Sequence, residues 1–150
     1  WRFLATDDPG VERFLCRDCD AVVNHREYAA VQEWLASGKR FHVMRDHPEH
    51  AELMMAGMWG GVAGLLPRLS EQAVEYYETH EPKWRWIDQD FLRDRVWPVI
   101  KTDCLVHDDF YVMGGECRCF PPGSALPENE HVGGYRPRFL AEQDHAAKSN

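Results

Sequence analysis

The sequence predicts an α/β fold, a mixed sheet flanked by helices, and two observations carry that expectation. Short apolar runs alternate with segments of helical periodicity, the order expected when strands and helices take turns around one core. In addition, three polar clusters, Asp18/Asp20, Arg45–His50 and His107–Asp109, each follow directly on an apolar run. Ligands of open α/β sheets bind beyond the carboxyl ends of the strands, so these clusters are expected at one end of the sheet.

Taken in order, residues 1–12 read as a polar connection with a turn signal at Asp7-Asp8-Pro9-Gly10, and residues 13–16 as a short strand. Asn24 with Glu27 three positions later predicts a capping box. The helix it opens carries Tyr28, Val31, Trp34 and Leu35 at helical spacing, and Gly38 suits the left-handed residue that closes it. Phe41-His42-Val43-Met44 is a compact strand broken at His47-Pro48. Residues 49–58 are expected to be helical, and Gly57, Gly60, Gly61 and Gly64 to form a flexible segment of close approach. A second amphipathic helix is expected over 70–79 with Ser70 as its cap. A third is expected over 89–96, capped by Asp88 and ended by Trp97-Pro98. Cys104-Leu105-Val106-His107 is a further strand. Residues 1–122 are assigned to the functional domain, and 123–150 to an irregular, partly disordered tail.

Composition narrows the function. The chain has 150 residues and 44% hydrophobic content, enough for one domain with one core. Its 17 basic and 25 acidic residues give a formal net charge of -8, which argues against a general nucleic-acid binder with a basic stripe. No apolar run is long enough to cross a membrane, and no secretory leader opens the sequence, so a cytoplasmic setting is expected. The opening Trp1 predicts a piece of a longer protein. Cys16-x-x-Cys19 has only Cys117-x-Cys119 as a second half, a poor zinc pattern, and reduced thiols are expected.

The chemistry concentrates in the polar clusters. If Asp18 and Asp20 end a strand, residues two apart face one side and can share one hard cation, Mg²⁺ or Mn²⁺, which also binds substrate phosphates. The alternative is a solvated turn. In Arg45-Asp46-His47-Pro48-Glu49-His50, the Arg45 guanidinium suits a phosphate or carboxylate, and Asp46 a sugar hydroxyl or a proton; the alternative is a solvated loop. Gly57 and Gly60 flank Trp59, which either stacks on a sugar or fills the core. Asp88-Gln89-Asp90 reads both as a helix start and as a pocket border. His107 is either a third metal ligand or a hydrogen-bonded core residue. Lys83, Trp84, Arg85 and Trp86 either cover a nucleotide or acceptor, or pack on the sheet.

The ordered set Arg17-Asp-Cys-Asp20, Arg26-Glu27, Glu33-Trp34, Phe41-His-Val-Met-Arg-Asp-His-Pro48, Gly57-Met-Trp-Gly60, Asp88-Gln-Asp-Phe-Leu92 and Trp97-Pro98 resembles the GT-A glycosyltransferases. Within them it looks most like a group of bacterial glycosyltransferase-like proteins, some linked to tetratricopeptide repeats, and the likeness spans about residues 1–122. The resemblance implies a partial GT-A-like domain that transfers a sugar from a nucleotide-diphosphate donor to a carbohydrate or other acceptor. It implies Mn²⁺ or Mg²⁺ held by Asp18, Asp20 and His107. Substrate would be bound by Arg17, Arg45, His47, Gly57, Trp59, Gly60 and Gln89, with Asp46, Asp88 and Asp90 as catalytic residues. Such enzymes place their first nucleotide-binding strands ahead of Asp-x-Asp, and little sequence precedes it here. Two other readings stand beside this one: a non-catalytic carbohydrate-binding or interaction module, and a metal-dependent phosphohydrolase.

Overall fold

A computed structural model of the chain describes residues 2–81, 85–128 and 130–134. Five strands, β1 (Arg13–Arg17), β2 (Phe41–Arg45), β3 (Met58–Val62), β4 (Cys104–Asp108) and β5 (Glu116–Arg118), form one mixed sheet in the order β1-β3-β2-β4-β5. β3 runs antiparallel to both β1 and β2, whereas β2, β4 and β5 are parallel. The carboxyl ends of β1, β2 and β4 therefore lie at one end of the sheet, beside the start of β3, where Arg17 pairs with Met58 and Arg45 with Asp108.

Every residue of β2 and β4 is buried, as expected for strands covered on both faces. On one face Phe14, Phe41, Val43, Trp59 and Val106 pack against Leu69 and Tyr76 of α3 (Leu69–Thr79) and against Phe91, Leu92 and Ile100 of the following helical run. On the other, Met44 and Met58 pack with Ala30 of α2 (His25–Ser37), Phe120 and Val132.

The start and end of α2 follow the sequence: Asn24 accepts the Glu27 N–H at 3.0 Å, and Gly38 closes the helix at φ 75°. Its inner face differs. Glu27, Ala30 and Trp34 are buried, whereas Tyr28 and Leu35 are exposed. Glu27 turns inward because Arg17 pairs with it, so the buried stripe is rotated by about one residue from the apolar count.

The helix expected over 49–58 is absent; residues 46–57 form a loop, and the glycine-rich run becomes β3 in the middle of the sheet. A β-carbon on Gly60 would collide with Leu15 and the Phe14 carbonyl, and one on Gly61 with the Phe41 ring. Bulky side chains on the flanking strands thus take the volume that β3 leaves empty. The cap of α3 also differs. Asp7, at the end of α1 (Leu4–Asp7), reaches across to accept the N–H groups of Leu69 at 3.1 Å and Ser70 at 2.9 Å, with Arg68 at φ 57°. Burial opposes the charge on Asp7, but the Ser70 hydroxyl and these N–H groups hold its carboxyl below the usual range.

Trp97-Pro98 does not stop the third helix. α4 (Ile87–Phe91) passes through a widened π turn at Leu92–Val96 into α5 (Trp97–Ile100). Pro98 sits in the first turn of α5, where its missing N–H costs little, and the π turn supplies the break in register that a mid-helix proline needs. All five cysteines are free thiols. No helix among the described residues is long and apolar enough to cross a membrane.

Candidate functional site

An open cleft of about 700 Å³ lies at the carboxyl end of the sheet. Five predicted site residues, Asp18, Asp20, Gly57, Asp88 and Gln89, line it. Asp18 and Asp20 do not end the strand itself. β1 stops at Arg17 and the chain turns at once, with the Ala21 N–H bonded to the Asp18 carbonyl at 3.1 Å. The turn leaves Asp20 exposed and the Asp18 side chain half exposed at the rim.

Arg2 bridges two sides of the cleft, 3.3 Å from Asp18 and 3.4 Å from Asp88. Asp88 is not the helix cap. It lies one residue inside α4, accepting the Gln89 N–H at 3.0 Å with one oxygen and facing Arg2 with the other. Gln89 is buried, and its amide oxygen has no hydrogen-bond partner among the described residues. A buried acceptor without a donor is costly, so this oxygen suits a donor that a ligand brings. Gly57 sits directly beneath the Asp18 carboxylate, and a β-carbon there would overlap it. Arg85 and Trp86 complete the rim, with the guanidinium 4.6 Å from the indole centroid. Their neighbours Lys83 and Trp84 lie outside the described residues.

Several predicted residues sit elsewhere, each for a physical reason. Asp90 pairs with Arg93 at 2.5 Å and borders a smaller pocket of about 210 Å³ beyond Gln89. Arg45 is fully buried. It donates to Asp108 at 3.0 Å and to the carbonyls of Leu53 and Met113, so its guanidinium braces two loops instead of facing solvent. Arg17 is bound to Glu27 and the Cys16 carbonyl. Trp59 is wholly within the core, edge-on to Phe14 at 4.9 Å, and Gly60 is packed against β1.

The sheet does not bring His107 to Asp18 and Asp20. β4 is three strand positions from β1, about 14 Å at the usual strand spacing. His107 is buried, its Nδ1 is 2.8 Å from His42 Nε2, and its Nε2 is 3.4 Å from Glu33, an ion-pair distance without a formed hydrogen bond. His42 stacks on Trp34 at 5.4 Å. Burial, and then the neighbouring His107, holds His42 well below the usual histidine range, so it is neutral.

Asp46 lies behind the cleft. It is buried, accepts from Arg26 at 3.1 Å, and accepts the Val132 N–H with both oxygens. Burial outweighs these partners and raises its carboxyl above the usual range. Beside it stand three imidazoles. His47 lies 4.4 Å from His131 between ring centroids, and His50 lies 5.1 Å from His131. Burial and the two neighbouring histidines lower His50 to about 4, so it is neutral at neutral pH.

His50 and His131 line the cleft, and neither stood among the predicted site residues. His50 closes the polar Arg45–His50 cluster, which was a visible signal. His131 carried no signal beyond the glycines after it. The segment 130–134 reaches the cleft through three hydrogen bonds: Val132 to Asp46, Val22 to the Gly134 carbonyl at 3.0 Å, and the Asn24 amide to the His131 carbonyl at 3.3 Å. Residues 135–150, the rest of the predicted tail, lie outside the described residues. Comparison with family models, curated proteins and solved structures finds no match for this chain.

Proposed function

We propose that the chain is the metal-binding and acceptor half of a GT-A-type glycosyltransferase, moving a sugar from a nucleotide-diphosphate donor to a carbohydrate or other acceptor. The observation that carries this reading is the convergence of Asp18, Asp20, Asp88 and Gln89, from two distant parts of the chain, on one cleft at the strand carboxyl ends. Asp18 and Asp20 offer oxygen donors at an open rim, a set that suits Mg²⁺ or Mn²⁺ completed by water and substrate phosphate. Such an ion, when bound, offsets the charge that develops on the departing diphosphate.

The chain's own groups account for the rest of the reading. Arg2 and Arg85 add positive charge at a rim otherwise lined by Asp18, Asp20, Glu49 and Asp88. The unpartnered Gln89 oxygen accepts a sugar hydroxyl. Asp88 stands ready to accept the acceptor hydroxyl's proton once substrate displaces Arg2 from it. Gly57 keeps the floor under Asp18 flat enough for the carboxylate to lie over it.

The test is calorimetric titration of UDP and of GDP into the chain with and without Mn²⁺, beside Asp20→Ala and Asp88→Asn. The expected result is nucleotide binding that requires Mn²⁺ and weakens at least ~10-fold in Asp20→Ala, while Asp88→Asn keeps binding and loses transfer in the longer protein. Binding of neither nucleotide by the folded wild-type chain overturns the reading for this chain.

A further inference from the structure

We propose that Asp46, His50 and His131 form a binding site for a divalent transition-metal cation of the Zn²⁺ class, set into the inner wall of the cleft. The proposal does not rest on the transferase reading. Each of the three residues offers one ligand atom, and these atoms all lie within 4.8 Å of one another. Asp46 Oδ1 and His50 Nδ1 are 3.6 Å apart. Two ligands at Zn²⁺ bonding distance and a tetrahedral angle stand about 3.4 Å apart, so the pair needs almost no movement to share an ion.

The hydrogen bonds fix which atoms can serve as ligands. His131 Nδ1 is 2.9 Å from the Val132 carbonyl, so it carries the proton and donates it there. Its Nε2 is then the ring's acceptor, and the backbone bond fixes the ring in the way metal-binding histidines are usually fixed. His50 Nδ1 accepts the Asp46 N–H at 3.3 Å, so it is the unprotonated ring nitrogen, and an ion takes its single lone pair in exchange for this long hydrogen bond. On Asp46, Arg26 occupies Oδ2, while Oδ1 shares the Val132 N–H and, among the described residues, retains a lone pair towards His50. Arg26 and Val132 thereby orient the carboxylate from behind.

The donor set separates this site from the Asp18–Asp20 rim. Two imidazoles and one carboxylate match open Zn²⁺ centres, whereas two bare carboxylates match harder ions. Asp46 is buried behind the wall, and His50 and His131 line the cleft, so the remaining coordination position faces the cleft and takes water or a ligand oxygen.

The experiment titrates Zn²⁺ into the chain by calorimetry and follows the visible spectrum of Co²⁺ as a substitute. Wild type is compared with His131→Ala, His50→Gln and an Asp18→Ala/Asp20→Ala double variant. The expected result is one Zn²⁺ per chain, tetrahedral Co²⁺ bands, and weakening of at least ~100-fold in both histidine variants. The double aspartate variant is expected to bind as wild type does, even if nucleotide binding fails. His131→Ala removes neither the Val132 N–H nor Asp46, so it remains decisive if His50→Gln fails to fold. Absence of Zn²⁺ binding by the folded wild-type chain, equal binding by His131→Ala, or loss of binding only in the double aspartate variant each overturns the proposal.

Discussion

Both oxygens of the Asp46 carboxylate accept one backbone N–H, that of Val132, at 3.1 and 2.9 Å. This contact ties the segment 130–134 to the end of β2, and with it His131 to the cleft. Asp46 also holds Arg26, and both side chains are largely withdrawn from water. Asp46→Ala removes one of the two carboxylates that hold Arg26, which keeps Asp109, and leaves the buried Val132 N–H without its acceptor. The expected loss is about 1–3 kcal/mol of stability, with the 130–134 segment opening first. Urea unfolding, together with proteolysis at low protease, measures both effects. Unchanged stability with an intact C-terminal segment would show that the contact is dispensable.

Two glycines predict opposite outcomes for the same substitution. At Gly60, a β-carbon meets the exposed Leu15 side chain, which can move, and the Phe14 backbone carbonyl, which is held in the sheet and cannot withdraw. Gly60→Ala is expected to destabilise by about 1–3 kcal/mol or to prevent folding. At Gly57, the β-carbon meets only the Asp18 carboxylate, which is half exposed and can swing outward. Gly57→Ala is expected to change stability by less than ~1 kcal/mol while displacing Asp18 and weakening Mn²⁺-dependent nucleotide binding. Thermal unfolding and calorimetry on the two variants separate these outcomes.

The buried His42–His107 pair predicts a pH dependence. His42 is held well below the usual histidine range, and His107 is also lowered, first by burial, although Glu33 opposes the shift. In the unfolded chain both titrate near the ordinary value of about 6.5. Below that pH the unfolded state binds more protons than the folded one, so stability is complete above about pH 6.5 and falls as pH drops. The slope approaches about 1.4 kcal/mol per pH unit for each histidine that stays neutral in the fold. Urea unfolding at pH 7.5, 6.5 and 5.5 (chosen to span about that value) measures it. A flat profile in wild type, or one unchanged in His42→Gln, would remove this pair as the cause.

Much of the architecture was legible because it depends on local chemistry. The Phe41–Met44 and Cys104–His107 runs are apolar on both faces, and such runs become central parallel strands. Asn24, Glu27 and Gly38 mark the ends of α2 through bonds formed within a few residues. The cleft was legible in part, because Asp18, Asp20, Asp88 and Gln89 follow or open elements whose ends meet there.

The sequence thus carries the α/β alternation, the ends of α2, the approximate span of α3, and the gathering of polar residues at the strand ends. Its warrant is periodicity and capping, which act over one or two turns of chain. Tertiary structure alone decided that the glycine-rich run is a strand, since only Phe14, Leu15 and Phe41 on neighbouring strands explain the missing side chains. It decided that Arg45 and His107 face the interior, because their partners Asp108, Leu53 and His42 come from other elements. It also brought His131 beside His50 and Asp46. Partners so distant in sequence leave no periodic trace, and pairing of buried charges and N–H groups is settled only when the surfaces that exclude water meet.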